Sequence, residues 1–253
     1  MTYLRTAAAA AAAALAAGAA LAGSPAFAAT TITLTGNSGT SGAAGNSRTF
    51  SGGTGANAVT VSATGWTISG DAASAAYLGA YSNGLGVTNA GEGNGGSGTH
   101  TVDNNGSVDF VLLRFNKAVS LLSAGLSQYG DTDVTFASLS GFGTGGVVPL
   151  SQIGAAITSG FISTGGNSSR TATNGTGTPV FSSLWAISAA TAVTGSTVTL
   201  DRTVDSFKLR QISVQAAPAV PEPSTWAMML LGFAGIGRAM RHRRRERIAF
   251  NFA

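Results

Sequence analysis

Two prolines around one glutamate, Pro221-Glu222-Pro223, divide this chain. Each proline fixes its own φ and disfavours helix in the residue before it, so Val220 to Pro223 is stiff and extended. Beyond it, Trp226 to Met240 is mostly apolar and is broken by Arg238, and Arg241, Arg243, Arg244, Arg245 and Arg247 close the stretch. A membrane span takes about 20 apolar residues, with roughly 17 as the low end. Ser224 to Met240 is 17 residues long and reaches across only if Arg238 snorkels toward the headgroups. A short transmembrane helix over 224–240 is therefore expected, with the basic tail 241–247 held on the cytoplasmic side. Gly232, Gly235 and Gly237 weaken that helix, which suits a segment that is cut off or handed on.

The order of these pieces resembles the PEP-CTERM sorting signal of Gram-negative bacteria. The residues that carry the likeness are Val220, Pro221, Glu222, Pro223, Trp226, Ala227, the Met-Met-Leu-Leu-Gly-Phe run, and Arg241, Arg243, Arg244 and Arg245. Trp226-Ala227 after the spacer makes it similar to the Trp-Ala variant. The resemblance implies that an exosortase, a membrane cysteine protease, processes the signal after export. It also implies a link to exopolysaccharide and biofilm systems. The competing reading is a plain tail anchor with a basic flank, which has no need of the Pro-Glu-Pro spacing.

The other end agrees with export. Arg5 precedes an alanine- and leucine-rich stretch, Ala7 to Leu21, and Ala26-Phe27-Ala28 is an A-x-A site for signal peptidase. Three segments are expected: a signal peptide over 1–28, an extracellular domain over 29–216, and a linker plus sorting signal over 217–253.

The formal charge of +4 misleads, because Arg5 and six arginines from Arg238 onward belong to the two ends. The body keeps seven basic residues (Arg48, Arg114, Lys117, Arg170, Arg202, Lys208 and Arg210). It has eight acidic ones (Asp71, Glu92, Asp103, Asp109, Asp131, Asp133, Asp201 and Asp205). A body near −1 carries no footprint of nucleic-acid binding. The absence of cysteine means that an exported domain must hold together without disulfides.

Small residues and short alternating runs predict an all-β fold, an antiparallel β-sandwich or jelly roll. Thr30 to Thr35 puts Ile32 and Leu34 on one face and reads as an edge strand. Asn37 to Gly55 reads as loop, and Ala58 to Ser69 as a strand with a bulge or turn at Gly65. Asp71 can cap a short helix over Ala72 to Leu78. Asn104-Asn105-Gly106 predicts a hairpin turn into Val108 to Phe115, which is apolar on both faces and reads as central. Separate short strands follow at Val119 to Leu122, Leu126 to Tyr129 and Val134 to Leu139. Leu150, Ile153 and Ile157 have helical spacing. Gly160 to Pro179 reads as loop, then Leu184 to Ile187, Thr197 to Leu200 and Val204 to Val214 as strands. In the last, a bulge near Arg210 would bring Phe207, Leu209, Ile212 and Val214 to one side.

The body carries a second likeness. Gly84 to Asn89, Glu92, His100 to Asn104, Asp109 to Leu113 and Asp131 to Asp133 resemble a block of some exosortase-dependent surface proteins. That block implies no activity. Its acidic positions are loosely similar to those of calcium-stabilised β-sandwich domains.

His100 is the one histidine of the body and would have to be the base of any Ser-His-Asp hydrolase, yet no G-x-S-x-G elbow is present. One histidine and no cysteine make a zinc site a poor fit. Asp131 and Asp133 can offer oxygens to Ca²⁺, with Asp103, Asp109 or Glu92 completing the set. Equally, they can be turn residues bonding their own backbone. Trp66 and Trp185 read as core, whereas Tyr77, Tyr81 and Tyr129, near loops, are the candidates for stacking on a sugar ring. The expectation is a non-enzymatic surface or matrix protein, with a carbohydrate-binding module, calcium-dependent or not, as the alternative. Its partners would be signal peptidase, exosortase, an exopolysaccharide and, before processing, the inner membrane.

Overall fold

The computed structural model describes residues 28–92, 100–143, 145–200, 203–217 and 223–249. The expected signal peptide lies outside them, apart from Ala28, which is exposed. Two compact units divide the chain, Met1–Ala217 and Pro218–Ala253.

The first unit is built of antiparallel strands, as the patterning predicts. They begin with β1 (Thr30–Thr33), β2 (Ser47–Gly52), β3 (Val59–Ser69), β4 (Ala72–Tyr81), β5 (Gly84–Thr88) and β6 (Val102–Asp103). Next come β7 (Val108–Gln128), β8 (Val134–Leu139), β9 (Val147–Pro149), the helix α1 (Leu150–Ala156) and β10 (Ile157–Ser163). The last are β11 (Arg170–Thr173), β12 (Ser182–Ala189), β13 (Thr191–Thr194), β14 (Thr197–Leu200) and β15 (Ser206–Ala216). Only β13 and β14 stand apart, as a hairpin; the main sheet runs β1-β15-β5-β4-β3-β7-β12-β8-β10.

β7 organises this sheet. Its first half pairs with β3 and β12, and its second half with β15 and β11. Because β15 also pairs with β5, the path β15-β5-β4-β3-β7 closes into a ring. The ring itself leaves no free edge, whereas β1 and β10 end the path with one partner each. The three short strands expected between Val108 and Tyr129 are thus one long strand, whose polar residues mark where it passes between partners.

Alternation along β7 serves two cores. Val111, Leu113 and Phe115 enter the main cluster with Ile32, Leu78, Trp185 and Phe207. Val108, Phe110 and Leu112 enter a second cluster with Trp66, Leu139, Leu150 and Ile153. Apolar residues on both faces therefore mark a strand covered on both sides, as read from Val108 to Phe115. Trp66 stacks edge-on against Phe142 at 4.8 Å, and Trp185 donates from Nε1 to the carbonyl of Val119 at 3.1 Å. Both tryptophans are core.

Several local expectations are corrected. Ala72 to Leu78 is strand β4, because antiparallel pairing with β3 and β5 outweighs a helical propensity resting on Asp71 alone. The stretch Asn37 to Gly55 contains β2, and Gly160 to Pro179 contains part of β10 and all of β11. Gly65 is no bulge: β3 runs through it in register with Ala76 and Val111, and a Cβ there would lie 3.2 Å from the Tyr77 carbonyl. The Asn-Asn-Gly turn forms, with Gly106 at φ +81°, but β6 hydrogen-bonds to β15 instead of folding back on β7. Two other readings hold. β15 shifts register between Leu209 and Gln211, and Phe207, Leu209, Ile212 and Val214 are all fully buried. α1 carries Leu150 and Ile153 inward.

Candidate functional site

The acidic residues proposed for a single cation site are sorted by the fold into two groups. Glu92 follows β5, Asp103 ends β6 and Asp109 lies at the start of β7; one oxygen from each falls within 4.8 Å of the others. Asp131 and Asp133 precede β8 and are joined by Asp205, at the entry to β15. Asp205 is the residue that sequence reasoning missed. Asn104 connects the groups: it follows Asp103, and its amide donates to Asp205 Oδ2 at 2.9 Å while its Oδ1 accepts from the Asp205 N–H. The contact spans 101 residues of chain, so no spacing could have revealed it.

In the first group, Asp109 is fully buried and Asp103 is 4% exposed. Burial, then the charge of Asp103, hold the Asp109 carboxyl well above the usual carboxylate range. Burial also raises Asp103, against the pull of the Asn105 N–H and the Thr101 hydroxyl. Glu92 is pushed up to about 7, mainly by burial and further by Asp103, although its Oε2 accepts the Asn89 N–H at 2.8 Å. Asn89 also donates toward both Asp109 oxygens, at 3.3 and 3.5 Å.

The second group is bonded into its loops. Asp131 Oδ1 accepts the Thr132 N–H at 2.6 Å, and Asp133 accepts the N–H of Gly165. Asp205 Oδ2 accepts the Ala190 N–H at 3.1 Å as well as Asn104. Arg170 stiffens this end by donating to the carbonyls of Thr132 and Ser163, at 2.9 and 2.7 Å. Asp131 bonds the backbone next to it, as turn aspartates do, whereas Asp133 and Asp205 tie down backbone 32 and 15 residues away.

Lys208, from β15, is buried beside the first group. Its Nζ lies 4.5 Å from the ring centres of both Tyr81 and Tyr129 and donates to the His100 carbonyl. Burial lowers it to about 8, against the opposing pull of Glu92. The His100 ring is buried, with Nδ1 2.7 Å from the Thr88 hydroxyl. The sugar-platform expectation is corrected for Tyr77, which is buried with its hydroxyl donating to the Gly39 carbonyl; Lys208 lies over the rings of Tyr81 and Tyr129 alike. Tyr129 is 40% exposed, and its hydroxyl accepts from the Asn83 amide.

Away from these groups, a cavity of about 320 Å³ is lined by Phe110, Leu139, Phe142, Ile153, Phe161 and Val193, among others.

The described residues of the second unit form one helix, α2 (Pro223–Ala249). Proline is well placed to open it, since its missing N–H would go unbonded there anyway. Pro223, Trp226, Ala227, Arg241, Arg243, Arg244 and Arg245 all fall on this helix; Val220, Pro221 and Glu222 lie outside the described residues. Met228, Leu230, Leu231 and Phe233 are each more than 60% exposed. Among the described residues no helix is long and apolar enough to cross a membrane. The transmembrane helix expected over 224–240 is thus not shown: at about 1.5 Å per residue its 17 residues reach about 25 Å, and Arg238 falls inside them.

The family model of the PEP-CTERM protein-sorting motif matches residues 219–245. No curated protein and no solved structure matches the chain. PEP-CTERM signals are recognised by exosortase, a membrane protease. The chain is therefore an exported protein of the cell envelope, sorted through exosortase.

Proposed function

We propose that this chain delivers a non-enzymatic, disulfide-free β domain to the surface or extracellular matrix of a Gram-negative cell, in association with exopolysaccharide. The observation that carries this reading is the sorting motif over 219–245, which follows a β unit whose described strands end at Ala216. An exosortase cut at or near Pro221-Glu222-Pro223 removes the arginines and frees the domain. The apolar part of the helix is short and is broken by Arg238, which suits a transient stay in the inner membrane before processing. A non-enzymatic body is supported by the one histidine of the body, His100, which is buried against Thr88, and by the lack of cysteine.

Intact-mass measurement of the surface-exposed form tests the proposal. Loss of both ends is expected, together with a net charge of ~−1. Cells lacking the exosortase should retain the chain in the inner membrane. A surface form that still carries Arg241 to Arg247 would make the tail a plain anchor and overturn the proposal.

A further inference from the structure

We infer that Glu92, Asp103 and Asp109 form a Ca²⁺ site, closed by the hydroxyl of Thr67. Two independent observations carry it. One oxygen from each of the three carboxylates lies within 4.8 Å of the others. Two oxygens on opposite sides of a Ca²⁺ ion, each about 2.4 Å away, are about 4.8 Å apart, so all three can touch one centre. The second observation is Thr67. It sits directly opposite Asp109 in the β3–β7 register, so the two side chains leave the same face of the sheet. Thr67 is 7% exposed, and its Oγ1 is buried without a hydrogen-bond partner. The hydroxyl points toward the Asp109 carboxyl without reaching hydrogen-bond geometry. A buried hydroxyl left in that state costs stability unless something else takes it up. A cation held between it and the carboxylates does so.

The chemistry selects the ion. Carboxylate and hydroxyl oxygens are hard ligands, and neither histidine nor cysteine side chains join them, which disfavours Zn²⁺ and copper. The donors come from a loop, a strand end and two strands, and this uneven set suits the flexible six- to eight-oxygen shell of Ca²⁺ better than the near-ideal octahedron of Mg²⁺. Lys208 adds one positive charge on the Glu92 side, leaving two of three carboxylates without a counter-charge. Glu92 and Asp103 each accept one backbone N–H, at 2.8 and 3.1 Å, whereas the more deeply buried Asp109 accepts from the Asn89 side chain only at 3.3 Å or beyond.

The test is calorimetric titration of the full chain, purified in detergent and stripped with chelator, with CaCl₂. One Ca²⁺ per chain is expected, with Kd on the order of 10⁻⁴ M, and a melting temperature that keeps rising as Ca²⁺ is added. E92Q and D109N should weaken binding by roughly tenfold or more, since each removes a charged ligand. T67A, which keeps all three carboxylates, should weaken it several-fold. D131N and D133N should leave it unchanged. Because D109N alters a buried group, circular dichroism in chelator establishes which variants fold, and E92Q, on the half-buried loop position, carries the result if D109N does not. Absence of Ca²⁺-dependent heat and melting shift in the wild type overturns the inference. So does binding that survives E92Q but is lost in D131N or D133N.

Discussion

The β unit and the C-terminal helix store their information differently. In the β unit, side chains distant in sequence complete one another: Trp185 is fully enclosed and Asn104 reaches Asp205 across 101 residues. Along α2, Met228, Leu230 and Leu231 stand in solvent, and what matters is their order in the chain. A domain that must persist outside the cell needs packing, while a signal read by a membrane protease needs a recognisable linear pattern. The same residue type therefore means different things in the two places.

The contrast breaks most completely at the spacer. Replacing Pro221, Glu222 and Pro223 with alanine should abolish the surface form and leave precursor in the inner membrane, with the melting temperature of the β unit unchanged. Fractionation followed by intact mass checks the first outcome, and circular dichroism of the purified precursor the second.

Next in size is a pair of truncations. Trp185→Ala empties a fully buried site and removes the donor to the Val119 carbonyl, and should cost about 3–5 kcal/mol in denaturant unfolding. Leu230→Ala, at a position 65% exposed on α2, should change the unfolding of the β unit by less than about 0.5 kcal/mol.

One glycine substitution should change sign between the regions. Gly84 has φ +130°, and a Cβ there would lie 2.8 Å from the backbone of Leu209, so Gly84→Ala should destabilise the β unit by more than about 1 kcal/mol. At Gly232 a methyl group would meet nothing within 4 Å, so Gly232→Ala should stabilise the helix by roughly 0.5–1 kcal/mol. Denaturant melts of the chain read the first effect; helicity of the isolated tail peptide in detergent reads the second. The smallest expected effect is zero: with no cysteine, reductant should leave the melting temperature of the whole chain unchanged.

Much of the molecule is legible in sequence where a residue's meaning is local. Period-two alternation marks β3, β8 and β12, and the opposed faces of Phe207–Leu209 and Ile212–Val214 require the bulge found at Arg210. Helical spacing marks α1. β2 is not legible, because its six residues, Ser47 to Gly52, contain one large apolar side chain, Phe50. What holds that region is Asn46, whose amide bonds both the N–H and the carbonyl of Leu78, at 2.8 and 2.9 Å. β4 reads as helix from sequence because alanine and serine carry almost no periodic signal.

The sorting signal is legible in sequence alone, because its pieces follow one another within residues 219–245 and need no partner from the rest of the chain to be seen. The all-β class is also written there, in alternation and small residues. Tertiary structure decided the path of the chain and the acidic groups. Five aspartates and glutamates with one sequence-level role became members of two clusters, and a sixth, Asp205, joined them, because the β6–β15 pairing brings residues 103 and 206 side by side. Which strand pairs with which is a long-range choice, made by the burial of both faces of β7, and no short window of sequence contains it.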